Sequence, residues 1–464
     1  MAVLKPTIMK FGGTCVEDTR AFERLVRIVS AQAASRPVVI VSAMSGVTDA
    51  LLESVVLATA GHPDAAMRLL ERHWERYQIV AQALASEPSF FAATLKNARS
   101  EIVDLLQATK AQTMPRPLLQ DLIASYGERL SAVLLAAVLR QAGLPAQPVD
   151  ARRCLITNSE HGRAEPMLAQ TERRTRTELE PLIAASRIPV LGGFIGSAED
   201  GTTTTLGRGG SDYTAALVGA ALAAREVQIW TDVTGVLTAD PRLLPQAHTI
   251  ARLSYAEAAE LAYFGAKVLH PKTIQPAVLQ SIPVRICNSR SPEEAGTIVC
   301  AQTEMSPRTV KAIAHKTGIT LVQISSARML GAYGFLHAIF EIFNRHRTAI
   351  DIVTTSEVSV SLSLDDASGL PAIVNELNDL GEVRVEHKQA IVCVVGEGLR
   401  GTPGIAARIF SCLSDINISL ISQGAHSINL TFVVEEDSAV EAISRLHAAF
   451  FESGMTVKGK AVVA

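Results

Sequence analysis

The stretch Thr7-Ile8-Met9-Lys10-Phe11-Gly12-Gly13-Thr14 decides how the rest of the chain is read. An apolar run ends in a lysine, turns on two glycines and enters the helical periodicity of residues 17–34. Glycines at a strand-to-helix turn let backbone N–H groups approach an anion, and the helix N-terminus adds partial positive charge. A tight turn with a surface lysine is the plain alternative, so the reading rests on the chain beyond Thr14. The same grammar recurs there. Short β-branched runs at Val38–Ser42, Val190–Phe194, Val227–Thr231 and Val284–Asn288 alternate with helical patterns at 116–143, 212–224 and 255–264. That alternation predicts an α/β layer structure with a mostly parallel sheet covered by helices, extending to about residue 300. Residues 60–115 read as a helical insertion in it.

Past residue 300 the strands alternate polar and apolar, as in Val358–Leu364, and the chain repeats itself with an offset of 70. Gly334, Ile339, Phe340 and Phe343 fall on Gly404, Ile409, Phe410 and Leu413, and Val358–Leu364 falls on Ile428–Val434. Each copy reads as a ferredoxin-like α+β unit. Three domains are expected: 1–302, then modules at 309–385 and 386–464, with a linker near Thr303–Arg308.

Among 464 residues, 48% are hydrophobic and 19% charged, enough apolar surface for several cores. A net charge of -3 gives no reason to expect nucleic acid or an anionic membrane as partner. The six cysteines have no metal-ligand spacing and suit reduced thiols, and no uninterrupted apolar run approaches the ~18 residues of a membrane span. A cytoplasmic location and no protein-held metal site are expected.

Four further motifs carry chemistry. Thr202–Asp212 (TTTTLGRGGSD) precedes an apolar helix and joins hydroxyls, glycines and a capping Ser/Asp into a phosphate cradle. Within it Asp212 can hold Mg²⁺ or orient Lys10, and the planar fork of Arg208 suits a carboxylate. Trp230-Thr231-Asp232, with Asp240-Pro241-Arg242 after it, ends a strand where a nucleotide can dock. Gly127 interrupts the helix that carries Glu128 and Arg129, and Phe264–Pro271 (FGAKVLHP) sets Lys267 between a glycine break and a proline. Gly396-Glu-Gly398-Leu-Arg-Gly401 matches a dinucleotide fingerprint, but it lies in a unit too small for that fold and lacks the following acidic residue.

Taken together, KFGGT, VSAMSGVTDAL, GERLS, GFIGS, TTTTLGRGGSDYTAAL, WTDV…TADPR, FGAKVLHP and TTSEVSV resemble, in order, the signatures of the aspartate kinases. The resemblance implies an amino-acid-kinase fold followed by two ACT modules, and phosphorylation of the L-aspartate side chain by ATP with nucleotide-bound Mg²⁺. It assigns Lys10 and Asp212 to catalysis. Thr48, Glu128, Phe194, Arg208 and Ser211 would hold aspartate, with Glu128 on the ammonium and Arg208 on a carboxylate. Lys10, Gly12, Gly13, Thr231, Asp232, Arg242 and Lys267 would meet ATP. Leu237 stands where many relatives carry Tyr, and Cys15 where Ser is usual, which puts a thiol near the phosphates. A carboxylate nucleophile is already ionised at neutral pH, so the lack of a His/Asp dyad is in keeping with this chemistry.

The same resemblance implies an amino-acid effector pocket made by Met329, Tyr333, Gly334, Phe335, Leu336, Asp351, Thr355, Ser356 and Glu357. Lysine is the favoured effector, with threonine, both or none as alternatives. A homodimer or dimer of dimers through the ACT modules is implied. A sibling kinase acting on acetylglutamate or glutamate, and an amino-acid-binding regulator with a decayed kinase half, are the competing readings. A bifunctional kinase–dehydrogenase is not expected at this length.

Overall fold

The computed structural model describes residues 5–109, 114–265, 271–301, 309–331, 333–424 and 427–452. The linker expected near Thr303–Arg308 and the expected nucleotide ligand Lys267 lie outside them. Two compact units are present: one from the described residues within Met1–Val236, Ala251–Tyr255 and Leu269–Gln302, the other from those within Leu237–Ile250, Ala256–Val268 and Thr303–Ala464.

Along the chain the first unit contains β1 (Thr7–Phe11), α1 (Thr19–Ala31), β2 (Pro37–Val41), α2 (Val47–Thr59), α3 (Pro63–Leu84), α4 (Pro88–Ala108) and α5 (Arg116–Gln141). It continues with β3 (Ala146–Val149), β4 (Ile156–Thr157), α6 (Leu168–Ala184), β5 (Ile188–Gly192), β6 (Ile195–Ala198), β7 (Thr203–Thr205), α7 (Gly210–Ala221) and β8 (Glu226–Thr231). After β9 (Arg252–Ser254) comes α8 (Tyr255–Tyr263), nearly all of which belongs to the second unit. Then α9 (Pro271–Leu279), β10 (Val284–Asn288) and β11 (Thr297–Cys300) complete the first.

Its main sheet runs β3-β5-β2-β1-β8-β10-β11-β9, parallel from β3 through β10. All five residues of β2 are buried, as a strand covered on both faces requires. Asp18 caps α1 by accepting from the Ala21 N–H at 2.8 Å, and Ala21, Phe22, Leu25, Ile28 and Val29 form its inward stripe. Residues 60–115 are helical where described, as α3 and α4, and bury Trp74, Tyr77 and Phe91 in the same core as Met9 and Val39. Helix α5 is long and apolar enough to cross a bilayer, and it buries most of that surface inside the unit.

The second unit holds β12 (Ala312–Ser325), α10 (Phe335–Arg345), β13 (Val353–Thr355), β14 (Ser359–Leu364), α11 (Leu370–Leu377), β15 (Glu382–Val395), α12 (Ile405–Ser411), β16 (Leu420–Gln423), β17 (Asn429–Glu435) and α13 (Glu436–His447). They form one antiparallel sheet, β13-β14-β12-β15-β17-β16. The first module has the βαββαβ order, and its core joins Val322, Ile339, Phe343, Leu362 and Ile373. Its first and last strands in sequence are only parts of β12 and β15. The other ends of those strands, Ala312–Lys316 paired with Ile391–Val395, lie in the second module. Val310 and Ile313 accordingly join Val392, Ile409, Phe432 and Ile443 in a separate core. One long strand pair therefore serves both modules. The GxGxxG stretch is a loop of this unit: a Cβ on Gly396 would lie 1.9 Å from the Thr309 carbonyl oxygen, so that glycine permits close packing rather than dinucleotide binding.

Candidate active site

The carboxyl ends of β1, β2 and β5 open into a cavity of about 700 Å³, lined among others by Lys10, Gly13, Ser45, Thr48, Glu128, Phe194, Arg208, Ser211 and Asp212. Parallel strands deliver their C-terminal loops to one edge, which is why residues so far apart in sequence converge there. Lys10 is the last residue but one of β1, and its Nζ lies 2.7 Å from Asp212 Oδ1 in the first turn of α7. Gly209, left-handed at φ +76°, is the N-cap of that helix and aims its first turn at the cavity.

Two glycines, Gly192 at the end of β5 and Gly193 just after it, set how closely the walls approach. A Cβ on Gly192 would lie 2.9 Å from Glu128 Cβ, and one on Gly193 2.7 Å from Ser211 Cβ. The missing side chains admit Glu128 from α5 and Ser211 from α7 to opposite sides of the β5 end. Phe194 comes next at φ +67°, a costly conformation for an aromatic residue, with its N–H donating to Thr214 Oγ1 at 3.0 Å.

Glu128 is buried, and its Oε2 has no hydrogen-bond partner among the described residues. Burial pushes its carboxyl up to about 8, while hydrogen bonding to the Ala43 backbone and the Thr48 side chain pulls it down. A buried acid with an open oxygen suits a cationic ligand. Arg208 is exposed at the cavity and makes no ion pair among the described residues.

The expected nucleotide residues are less tightly gathered. Gly13 lines the cavity, whereas the Gly12 N–H is engaged by the Trp230 carbonyl at 3.1 Å. Thr231 and Asp232 lie at the end of β8, beside β1 in the sheet, joined by a 3.2 Å hydrogen bond. Arg242 falls in the second unit, exposed, and held by the Asp240 carboxylate at 2.6 Å. Cys15 is buried, which pushes its thiol up, and its Sγ donates to the Trp230 carbonyl at 3.4 Å. The thiolate needed for facile oxidation is thus disfavoured there.

Asp121 carried no motif and stands out only in the structure. Buried beside the cavity, it accepts from Thr205 Oγ1 at 2.5 Å, from the Gly162 N–H at 3.0 Å and from His161 Nδ1 at 2.9 Å. It ties the 158–165 loop to the strand that enters the GRGG turn. An acid on a helix gives no local signal of such distant partners.

Of the expected effector residues, Tyr333, Gly334, Leu336, Thr355, Ser356 and Glu357 are exposed and Met329 and Phe335 half-buried, around the start of α10 and the end of β13. Asp351 differs. Its side chain is only 7% exposed, and its Oδ1 accepts from the Tyr263 hydroxyl at 2.7 Å with Lys316 Nζ 3.7 Å away. Its Oδ2 has no partner among the described residues, and no described contact joins it to Glu357. Tyr263, from α8, belongs to the same compact unit.

Residues 5–288 match the model of the amino acid kinase family, and residues 392–450 an ACT domain. The chain is 39% identical to lysine-sensitive aspartokinase 3 of Escherichia coli (strain K12), covering 96% of this chain and 99% of the relative. It is 34% identical to the chloroplastic aspartokinase 2 of Arabidopsis thaliana over 96% of this chain and 84% of that one. Its fold is similar to E. coli aspartokinase III in complex with lysine and aspartate, at a TM-score of 0.80 and 38% identity over 96% of this chain and 99% of that one. The same enzyme with aspartate and ADP gives a TM-score of 0.78 at 38% identity, over 96% of this chain and 100% of that one.

Proposed function

Because the chain belongs to the aspartokinases of the amino acid kinase family, we propose that this cavity is where the side-chain carboxylate of L-aspartate meets the γ-phosphoryl of ATP. The protein is an aspartate kinase, forming 4-phospho-L-aspartate and ADP. The observation that carries the placement is the convergence of the Lys10–Asp212 pair and the open Glu128 oxygen on one cavity.

A carboxylate oxygen of aspartate forms the new bond to phosphorus while the bond to the ADP oxygen breaks. No proton has to be removed from the nucleophile, so no general base is needed. The task is to hold two anions together and offset charge as it spreads over the transferring group. Lys10 supplies charge at the end of β1, Asp212 fixes its direction, and the N-terminus of α7 adds backbone donors. Glu128 takes the substrate ammonium, Arg208 the α-carboxylate, and Thr48, Phe194 and Ser211 complete the cradle. Gly12, Gly13, Thr231 and Asp232, all of the first unit, serve the nucleotide.

The described residues contain no cluster of three or more His, Cys, Asp or Glu side chains able to hold a metal. Mg²⁺ would be carried by the ATP phosphates, with Asp212 at the cavity the carboxylate to help hold it, and would neutralise phosphate charge. Six cysteines with no metal-ligand spacing and no disulfide framework in the sequence suit a cytoplasmic enzyme. The test is Mg-ATP turnover with L-aspartate, trapping the acyl phosphate with hydroxylamine. Aspartate-dependent hydroxamate is expected. Turnover only with another amino-acid carboxylate would move the chain to a sibling activity, and silence with all would mean a regulator without catalysis.

Lysine is the effector we assign to the first ACT module, at Met329, Tyr333–Leu336, Asp351 and Thr355–Glu357. The exposed apolar side chains there, Leu330, Tyr333, Leu336, Val353 and Val358, lie on and beside an edge strand and suit pairing with a second copy. Oδ1 of Asp351 is already engaged by Tyr263, so an effector ammonium that takes this oxygen competes with a phenol. In Tyr263→Phe, half-inhibition is expected at a roughly three- to tenfold lower lysine concentration. In Asp351→Ala it should need at least ~10-fold more. Unchanged lysine sensitivity in Asp351→Ala would remove this acid from the effector site, whatever Tyr263→Phe does.

A further inference from the structure

The helical insert α3–α4 contributes no side chain to the cavity lining, yet one turn of α3 supports three of its walls. Arg76 donates from Nη2 to the Glu17 carbonyl at 2.9 Å and from Nη1 to the Ser45 carbonyl at 2.8 Å. Glu17 ends the loop that comes after Lys10 and Gly13, and Ser45 lies in the loop that leads to Thr48. The next residue, Tyr77, is fully buried and donates its hydroxyl to the Gly127 carbonyl at 2.9 Å, with Ser131 Oγ at 3.0 Å. Gly127 immediately precedes Glu128, and a Cβ there would lie 2.7 Å from Ala43 Cβ. The α5 wall and the 42–46 loop are thus in closest contact where α3 holds both.

We propose that Arg76 is a positioning residue for phosphoryl transfer, fixing the substrate loop 42–46 against the phosphate-side loop 12–17. This rests on the assignment of the cavity as the active site. A planar guanidinium offers two parallel donors at fixed spacing and so can serve both carbonyls at once. The loops also share a direct bond, Ser45 N–H to the Gly13 carbonyl at 3.2 Å, beyond the strand-end bond from the Ser42 N–H to the Phe11 carbonyl at 3.1 Å. Arg76 adds the clamp that reaches Glu17, farther along the first loop. Glu128, held through Tyr77, and Thr48, held through Arg76, then keep their spacing from Lys10. Near-attack geometry tolerates little drift: an error of about 1 Å can cost about a hundredfold in rate.

The test compares Arg76→Met, which keeps length but has no donors, with Arg76→Lys, which keeps charge and can reach one carbonyl. Both are measured in the full-length enzyme for kcat, the KM of aspartate and of ATP, and the thermal midpoint. Arg76→Met is expected to lower kcat/KM for aspartate by roughly tenfold or more while the KM of ATP moves less than about threefold. Arg76→Lys should recover only part of the loss. Wild-type kcat/KM in Arg76→Met, or a loss matched by an equal loss of folded protein, overturns the proposal. Lys10→Met, measured alongside, separates the two ideas. If it stays active, the cavity assignment fails; if it is dead while Arg76→Met is normal, only the positioning role fails.

Discussion

Lys10→Met should lower kcat by on the order of a thousandfold, with a small change in the KM of aspartate. The Lys10 ammonium is the charge placed at the end of the strand whose glycine turn faces the cavity, 2.7 Å from Asp212. Charge on the transferring phosphoryl group grows toward the transition state, so a cation there acts mainly on kcat. Methionine keeps the packing of the stem and removes only the charge. Asp212→Asn should show a smaller loss of the same kind, because Lys10 keeps its charge and loses its guide. The hydroxamate assay at saturating Mg-ATP and aspartate reads both. A Lys10→Met enzyme within tenfold of wild type would take Lys10 out of the chemistry.

Glu128→Gln should raise the KM of aspartate by on the order of a hundredfold, the cost of leaving a buried ammonium without its counter-charge. The wild-type enzyme should also show a pH signature. Burial lifts this carboxyl to about 8, so in the empty site it is protonated below that pH and ionised above it. The substrate ammonium binds the ionised form, and the KM of aspartate should therefore fall as pH rises from about 6 to 8. In stability the sign is opposite. A folded pKa raised above the unfolded value means stability that is present below the unfolded pKa of about 4.5 and is lost as pH rises through 8. Measuring KM across this range in wild type and Glu128→Gln tests the assignment, since glutamine should flatten the dependence. A steep dependence that survives in Glu128→Gln would place the titrating group elsewhere.

Much of this was legible locally. The strands β2 and β5 are runs of wholly buried, mostly β-branched and apolar residues, and β1, β8 and β10 bury most of theirs, as strands covered on both faces do. The 70-residue repeat announced two α+β modules, because each copy needs the same inward face. Lys10, Arg208 and Asp212 stood out because glycines and capping residues mark turns that approach an anion. What stayed hidden depends on partners far away in sequence. Segments 237–250 and 256–265 read as part of the kinase half, yet they fold with the second unit. Ala239 and Leu244 are buried in the core of the second ACT module, and Glu257 pairs with Lys311 at 2.8 Å. The sharing of β12 and β15 was equally invisible, since a 14-residue strand carries no mark of where one module stops.

The sequence by itself determined the classes of element, their order, the repeat and the chemistry at hand, because periodicity, turn residues and side-chain pKa values are local properties. Tertiary structure alone decided which acid is buried with an open oxygen, which glycines let Glu128 and Ser211 close on β5, and that Arg76 and Tyr263 reach their partners. Those outcomes depend on desolvation and close packing between segments tens to hundreds of residues apart, and neither exists until the chain has folded.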